Sequence, residues 1–384
     1  MENNKKIEDI IFEKSNGVGT TTYLTHNFHV YPAKFIPQLP HKTILTFTKE
    51  GDVVLDPFCG CGTTLVEAKL LNRHSIGIDL NPIAILASKA KTNKFNDNDI
   101  NIVKELIPKI EIDIYNHYKG IKTINYDIPI FYNIYHWFQK NVLNELGIIK
   151  AHIENVRNDK VKYFMKTAFS SIIVIVSNQE SDTRYAAINK NIENYRTFNE
   201  FSKKINDMLY RIADFSKKAS DMRVETYTEN SENMHFLEDN TIDHIMTSPP
   251  YANTYDYYLY HKFRMYWLGY DVKKVQKLEI GSRNRHSSKK ENISIFIDSL
   301  EKCMTEMNRV LKRDKYAVVV IGDCVIKGDV IKADDFMKDI SQKTGFEIVR
   351  KISYNQKDNT KLFNPKFTNG DKLEHILFLR NVKK

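Results

Sequence analysis

Short apolar runs and longer amphipathic stretches alternate along the first hundred residues. Val53, Val54 and Leu55 make a brief buried-strand run that ends at Asp56-Pro57-Phe58 and a Gly-rich turn, Cys59-Gly60-Cys61-Gly62-Thr63-Thr64. Leu65 to Leu71 then reads as a helix with Glu67 and Lys69 facing out, and Ser75 to Ile78 as a second strand closed by Asp79. Asn81 is placed to cap the next helix, with Pro82 at its first position, and the helix runs to about Thr92. Strand, turn, helix, strand, acid, helix is the opening of a parallel α/β sheet. The alternation then stops. Residues 97–222 read as mostly helical, with aromatic clusters (Phe131-Tyr132, Tyr135, Trp137-Phe138) and one apolar run over 172–176. From Arg223 the sheet rhythm resumes, with strands over 224–228 and 242–246. A helix follows, carrying Ile293, Phe296, Ile297, Leu300, Met304, Met307 and Leu311 at a period of about 3.6. A strand over 316–321 and a closing pair over 346–353 and 375–380 complete the chain. The pattern predicts an α/β fold with a discontinuous core, residues 1–96 and 223–384, interrupted by a mostly helical insertion over 97–222.

Composition agrees with a globular chain and adds little else. Its 384 residues are 42% hydrophobic, too apolar for disorder. At roughly 150 residues per domain the length corresponds to two or three units. No apolar run approaches the roughly 18 residues of a membrane span, and the first residues have no apolar block behind their charges, so the expectation is a soluble cytoplasmic protein with no membrane partner. Four cysteines make no disulfide framework, and Cys59 and Cys61 are too close to bridge without strain. No Cys/His cluster has zinc-ligand spacing, so no metal is expected. The net charge is +9, but 44 Lys against 13 Arg make that total a weak argument for nucleic acid. Its distribution says more: residues 261–290 hold nine Lys/Arg against Asp271 and Glu279, a net of +7.

The turn after the first strand carries candidate chemistry. A Gly-x-Gly turn between strand and helix lets backbone approach a ligand and presents N–H donors. Asp79, 19 residues after Gly60, is placed to hold two ribose hydroxyls. The dinucleotide fingerprint wants Gly or Ala three residues after Gly62, where this chain has Leu65, and a P-loop wants a Lys that Gly62-Thr63-Thr64 lacks. Asp56 ahead of the turn can take an ammonium, and Phe58 offers an apolar wall. Those features suit S-adenosylmethionine better than a pyrophosphate.

Thr247-Ser248-Pro249-Pro250-Tyr251, directly after the strand over 242–246, is the most informative run. Two prolines fix φ and donate no hydrogen bonds, so the turn is stiff and its carbonyls are free to accept. The Ser248 hydroxyl and Pro249 carbonyl can converge on one spot at the carboxyl end of the sheet, and Tyr251 can stack on a planar ligand. An exocyclic amine held by such acceptors turns its lone pair toward an electrophile, as methyl transfer to an aromatic amine requires. The bland alternative is a proline-rich turn that merely ends a strand.

With these motifs the sequence resembles the DNA amino-methyltransferases, which methylate cytosine N4 or adenine N6. The likeness rests on the run from Asp56 to Thr64, on Gly77-Ile78-Asp79 and on Thr247 to Tyr251, with His29-Val30-Tyr31-Pro32-Ala33-Lys34-Phe35-Ile36-Pro37 resembling the family's N-terminal segment over the cofactor. It implies a Rossmann-like class I methyltransferase with a mostly parallel seven-stranded sheet, S-adenosylmethionine as cofactor and a target base flipped from duplex DNA. By the same resemblance Tyr31, Asp56, Pro57, Phe58, Gly60, Gly62, Thr63 and Asp79 are cofactor-side residues, while Ser248, Pro249, Pro250 and Tyr251 hold the target base. The family often carries an acid after the third strand; here Glu229, Asn230 and Ser231 stand nearest, and Asn230 is favoured.

No nucleophile is required, because a sulfonium is already an activated methyl donor and catalysis is mainly alignment. Neither Cys303 nor Cys324 has the Pro-Cys setting of a cytosine-C5 nucleophile. Ser at the head of the four-residue turn leans toward cytosine N4, with adenine N6 as the alternative. An RNA or tRNA base methyltransferase, and a non-catalytic DNA-binding subunit, are the rival readings. A cognate restriction endonuclease, in a restriction-modification or phage-defence setting, is the expected partner beside double-stranded DNA. The target-recognition region has two candidates, the 97–222 insertion and the basic stretch after Tyr251. Within the latter, residues 273–292 read as a basic loop, with Arg283, Arg285, Lys289 and Lys290 as the DNA-binding candidates. Most of the rings from Tyr255 to Trp267 read as helix packing on the core.

Overall fold

The computed structural model describes residues 20–121, 124–283, 292–326, 329–355 and 372–383. Seven strands form one sheet: Val53–Asp56 (β1), His74–Ile78 (β2), Val224–Tyr227 (β3), Ile242–Thr247 (β4), Leu311–Gly322 (β5), Phe346–Asn355 (β6) and Leu373–Asn381 (β7). Their spatial order is β6-β7-β5-β4-β1-β2-β3. The four pairings from β5 to β3 are parallel, whereas β7 runs antiparallel to both β5 and β6. This is the Rossmann-like class I arrangement that the motifs imply. Chain order reverses direction across the sheet between β1 and β4. In a parallel sheet the turns leaving the carboxyl ends of those strands diverge there and open a crevice.

Local chemistry explains the elements around that crevice. β4 is buried along its whole length, as a central parallel strand must be. Asn81 caps the helix Pro82–Thr92 by accepting from the Ile83 N–H, with Pro82 in the first turn. The helix Ile293–Val310 buries Phe296, Leu300, Met304 and Met307 on its 3.6-period face against the sheet. β5 is longer than the apolar run over 316–321 suggests, because Leu311 already pairs with Ile242 and pairing resumes at Tyr316 with His244, the polar 312–315 stretch bulging between them.

The outward assignment of Glu67 is wrong. The helix Thr63–Leu70 buries six of its residues, and Glu67 is fully enclosed. Its carboxylate accepts from Tyr23 (2.5 Å) and sits 2.7 Å from both the His26 and the His41 ring nitrogens. Burial pushes this carboxyl up, but the hydrogen bonds from His26 and His41, the His26 charge and the Tyr23 hydroxyl outweigh it, so Glu67 lies below the ordinary carboxylate value. These bonds tie the N-terminal segment to the back of the Gly-rich turn.

Residues 97–222 are mostly helical, as the pattern predicts: Asp97–Tyr118, Ile134–Trp137, Lys140–Glu154, Asp159–Val176 and Arg196–Lys218. The apolar run over 172–176 ends a helix, and a small hairpin, Gln179–Ser181 with Arg184–Ala187, is an addition that no alternation announced. The insertion does not stand apart. Its hydrophobic cluster, with Phe164, Phe169 and Phe201, is continuous with Val66 and Ala90 of the core and with Phe263 and Trp267. The N-terminal segment lies between the two: Lys204 donates to the Asn27 carbonyl at 2.8 Å, and His29 meets the Ser170 hydroxyl at 2.9 Å. Among the described residues no helix is long and apolar enough to cross a membrane.

Candidate active site

A cleft opens at the carboxyl ends of β1, β2, β3 and β4. The Gly-rich turn is its floor. The Cys59 N–H donates to the Ile78 carbonyl and the Gly62 N–H to the Cys59 carbonyl, so the chain doubles back tightly before the helix starts. Gly60 (φ +49°) lies beneath Tyr31: a Cβ there would sit 3.3 Å from the ring. Gly62 (φ +79°) packs away from the cleft, where a Cβ would meet the Ser88 hydroxyl at 2.7 Å. Gly62→Ala is therefore expected to destabilise the fold by about 1–2 kcal/mol from left-handed strain alone, with the clash added. A falling denaturation midpoint checks this, and an unchanged one would refute it.

Asp79 forms one wall. Each carboxylate oxygen accepts one backbone N–H, Gly60 at 2.9 Å and Asn81 at 2.8 Å, which leaves lone pairs for a ligand's hydroxyls. Burial raises its pKa to about 6 against those two hydrogen bonds. Tyr31, Phe58, Thr63 and Asn230 also line the cleft, as does Ser231. Asn230 exchanges hydrogen bonds with Glu232, its amide donating to the carboxylate and its carbonyl accepting the Glu232 N–H. Tyr31 is held from outside by rings: His261 at 4.8 Å and Tyr257 at 6.1 Å, both stacked.

Besides Gly62, two further cofactor-side assignments are corrected. Asp56 does not reach the cleft. It is fully buried beneath the turn, accepting from the Thr64 and Thr247 hydroxyls (2.7 Å each) and the Phe58 N–H, and so clamps the Gly-rich turn to the end of β4. Burial lifts its pKa to about 6. An acid so enclosed by its own neighbours has no face left for an ammonium. Pro57 is buried as well, its carbonyl accepting from the Ser231 hydroxyl.

The turn after β4 borders the same cleft through Ser248 and Pro250. Pro249 is buried, and Tyr251 lies to the side, half-buried against the hydrophobic cluster of the β5 face. The Tyr251 hydroxyl donates to Glu374 at 2.8 Å, and Tyr354 donates to the same carboxylate. Glu374, at the start of β7, is thus a site neighbour that only the sheet's antiparallel return brings in.

Sequence reasoning also missed the far wall, built by Tyr257, Val275, Leu278 and Glu279. Residues 273–292 do not make one basic loop, because Val272–Leu278 is a helix. It turns Val272 and Val275 inward and leaves Lys273, Lys274 and Lys277 exposed. Glu279 is buried, accepts the Tyr257 and Tyr258 N–H groups at 2.7 and 3.0 Å, and is pushed up to about 8 by burial. Its signal was its place as one of only two acids, with Asp271, among nine basic residues. Arg264, one of those nine, is buried and paired with Asp182, so it offers nothing to a ligand outside. Arg283 is exposed, and Arg285, Lys289 and Lys290 lie outside the described residues.

The lining suits the cofactor. Asp79 and Glu229 outnumber the one Lys34, with Glu279 ionising only as pH rises through about 8, so the cleft is acidic and favours a cation over a pyrophosphate, while Tyr31 and Phe58 supply apolar walls. A family model for DNA methylases of the N6/N4 type matches residues 2–90 and 242–384, and passes over the intervening stretch that holds the helical insertion. The chain is similar to the Type II methyltransferase M.MvaI of Kocuria varians, at 27% identity over 84% of this chain and 82% of that one. It is similar also to the Type II methyltransferase M.MjaII of Methanocaldococcus jannaschii, at 25% identity over 90% and 78%. A solved S-adenosylmethionine-dependent methyltransferase of Methanosarcina mazei is 10% identical with a TM-score of 0.35, covering 93% of this chain and 100% of that one. The chain belongs to the DNA amino-methyltransferase family, S-adenosylmethionine-dependent enzymes of the cytosine-N4 and adenine-N6 type.

Proposed function

We propose that this protein methylates the exocyclic amine of a base flipped out of double-stranded DNA, with cytosine N4 favoured over adenine N6, as the modification half of a restriction-modification pair. The observation that carries the reading is that Ser248 and Pro250 border the cleft that Gly60 and Asp79 also line, so acceptor and donor sites share one wall. Ser at the head of the turn favours cytosine. The relatives' naming as Type II methyltransferases supports the pairing with an endonuclease.

The residues divide the work. Tyr31, Phe58, Gly60, Thr63, Asp79 and Asn230 hold the cofactor, which when bound supplies an electrophilic methyl group on a cationic sulfur. Asp56 and Gly62 set the shape of the turn from behind. The Ser248 hydroxyl and the Pro249 carbonyl accept from the target amine and orient its lone pair, and the stiffness of two prolines keeps that alignment without cost at the moment of transfer. Tyr251 closes on the base from the side.

The test is digestion of DNA from cells expressing the protein, followed by mass spectrometry. N4-methylcytosine supports the reading. N6-methyladenine would shift it to the alternative base, and methylated RNA with unmodified DNA would overturn it.

The cleft's acids give a pH expectation. An ionised Asp79 accepts from ribose hydroxyls, and ionised Asp79 and Glu279 both favour a cationic ligand. Binding should therefore strengthen as pH rises through about 6 and again through about 8, with proton release. Calorimetry in buffers of different ionisation enthalpy checks this. Glu279→Gln should remove the upper step, and Asp79→Ala should weaken binding at every pH.

A further inference from the structure

The five most exposed large hydrophobic side chains among the described residues are Ile130 (100%), Tyr132 (89%), Tyr210 (81%), Tyr135 (76%) and Ile121 (67%). Four of the five fall between residues 121 and 135. Exposed apolar residues scattered singly need no explanation, but a cluster marks an interaction surface.

This cluster is displayed from a firmly seated segment. Phe131, between Ile130 and Tyr132, stacks on Tyr266 with centroids 4.6 Å apart and planes 9° apart, and lies 5.6 Å from Phe263. Trp137 packs on Phe263 at 4.8 Å and on Tyr185 at 4.7 Å, and Phe138 is fully buried. The helix that receives these rings, Lys262–Leu268, directly follows Tyr257–Tyr260, whose Tyr257 is part of the cleft's far wall. The exposed side chains and the far wall therefore stand on one rigid block. Lys262 lies over the rings of Tyr185 and Tyr266, and on the neighbouring hairpin the Arg184 side chain, paired with Glu180 at 2.8 Å, is still 71% exposed.

We propose that residues 128–137 are a wedge that enters the DNA base stack, Ile130 and Tyr132 filling the gap beside the extruded target base. The inference rests on the reading that the substrate is duplex DNA. A partner met by exposed rings and an aliphatic tip, with Lys262 and the outer side of Arg184 beside them and on the block that carries the cleft's far wall, is chemically a stacked polyanion. Extruding a base leaves an unfilled step, and apolar wedges are the general means of occupying one. A second protein surface would be met instead by an apolar face continuous enough to exclude water, whereas here Asn133 and His136 interrupt the patch.

The test uses the full chain, and a double variant, Ile130→Ser with Tyr132→Ser, on a duplex bearing the site mapped from expressing cells. A second duplex has an abasic position opposite the target base, which makes extrusion less costly. The variant should lose about tenfold or more of its methylation rate on the intact duplex, recover most of it on the abasic duplex, and bind S-adenosylmethionine as the wild type does. An unchanged rate on the intact duplex overturns the wedge. So does equal loss on both duplexes, and so does a lower sedimentation mass with the DNA rate retained, which would make the patch a contact between copies. If the wild type methylates neither duplex, the reading of the substrate falls first and the wedge with it.

Discussion

Tyr251→Ala is expected to lower the rate of methyl transfer by about 100-fold or more while cofactor affinity stays as in the wild type. Tyr251 is absent from the walls of the cofactor cleft, so its loss removes nothing that holds the cofactor. What goes is the ring beside the Ser248–Pro250 acceptors and the hydroxyl that donates to Glu374 at 2.8 Å. Tyr251→Phe separates the two. It keeps the ring and gives up the bond to Glu374, whose other donor is Tyr354. If stacking on the base matters, the Phe variant retains most of its activity. A Phe variant as inactive as the Ala variant would assign the effect to the Glu374 contact. An Ala variant that methylates DNA normally would remove Tyr251 from the site. Single-turnover rates with a saturating cofactor give the cleanest comparison.

The second large effect is on stability and lies away from the chemistry. Glu67→Leu should destabilise the protein by about 3–5 kcal/mol, the usual loss when one member of a buried polar cluster is removed. Three partners, Tyr23, His26 and His41, lose their acceptor at once. The wild-type cluster also sets a pH dependence. Burial holds His26 below its ordinary value of 6.5, and Glu67 lies below the ordinary carboxylate value. Each binds fewer protons folded than unfolded, so their contribution is complete above about 6.5. It is lost as pH falls, first through the histidine range and then through the carboxylate range. Denaturant unfolding of wild type and Glu67→Leu should show the gap between them closing as pH falls through the carboxylate range, where Glu67 itself titrates, and not through the histidine range, because the variant's His26 stays buried and loses the partner that raises it. A gap independent of pH would mean that the cluster is held by packing and not by charge. Because this cluster anchors the segment that leads to Tyr31, the variant should also bind cofactor more weakly at temperatures where it is still folded.

Several features were legible because they are local. A strand run of three apolar residues, a turn that only glycine can make, an asparagine followed by proline, and two prolines in a row each write their conformation into neighbouring positions. β1, β2 and β4, the cap at Asn81 and the motifs at both turns follow from that. The long helix 293–310 was legible for the same reason, since its apolar spacing repeats over five turns. Where the reading failed, the cause was a partner distant in sequence. Glu67 carries a charge, and charge on a helix next to Lys69 points to solvent until Tyr23, His26 and His41 fold over it. Asp56 looked available to a ligand because Thr247, its second hydroxyl donor, is 191 residues away. The Lys-rich run after Tyr251 read as a loop because its valines at 272 and 275 were too few to show a period.

What the sequence determined by itself was the family chemistry: a Gly-rich turn, an acid after the second strand, and a stiff acceptor turn after another strand, in an α/β frame. Tertiary structure alone decided which of those residues face the cleft. It turned Asp56, Pro57 and Gly62 into the turn's support, kept Asp79, Gly60 and Ser248 on the wall, and closed the far side with Tyr257 and Glu279 from a stretch that reads as basic surface. The physical reason is that a residue's type fixes what it can bond, but burial and competing partners fix what it does bond, and both depend on strands and helices that pair across the whole chain.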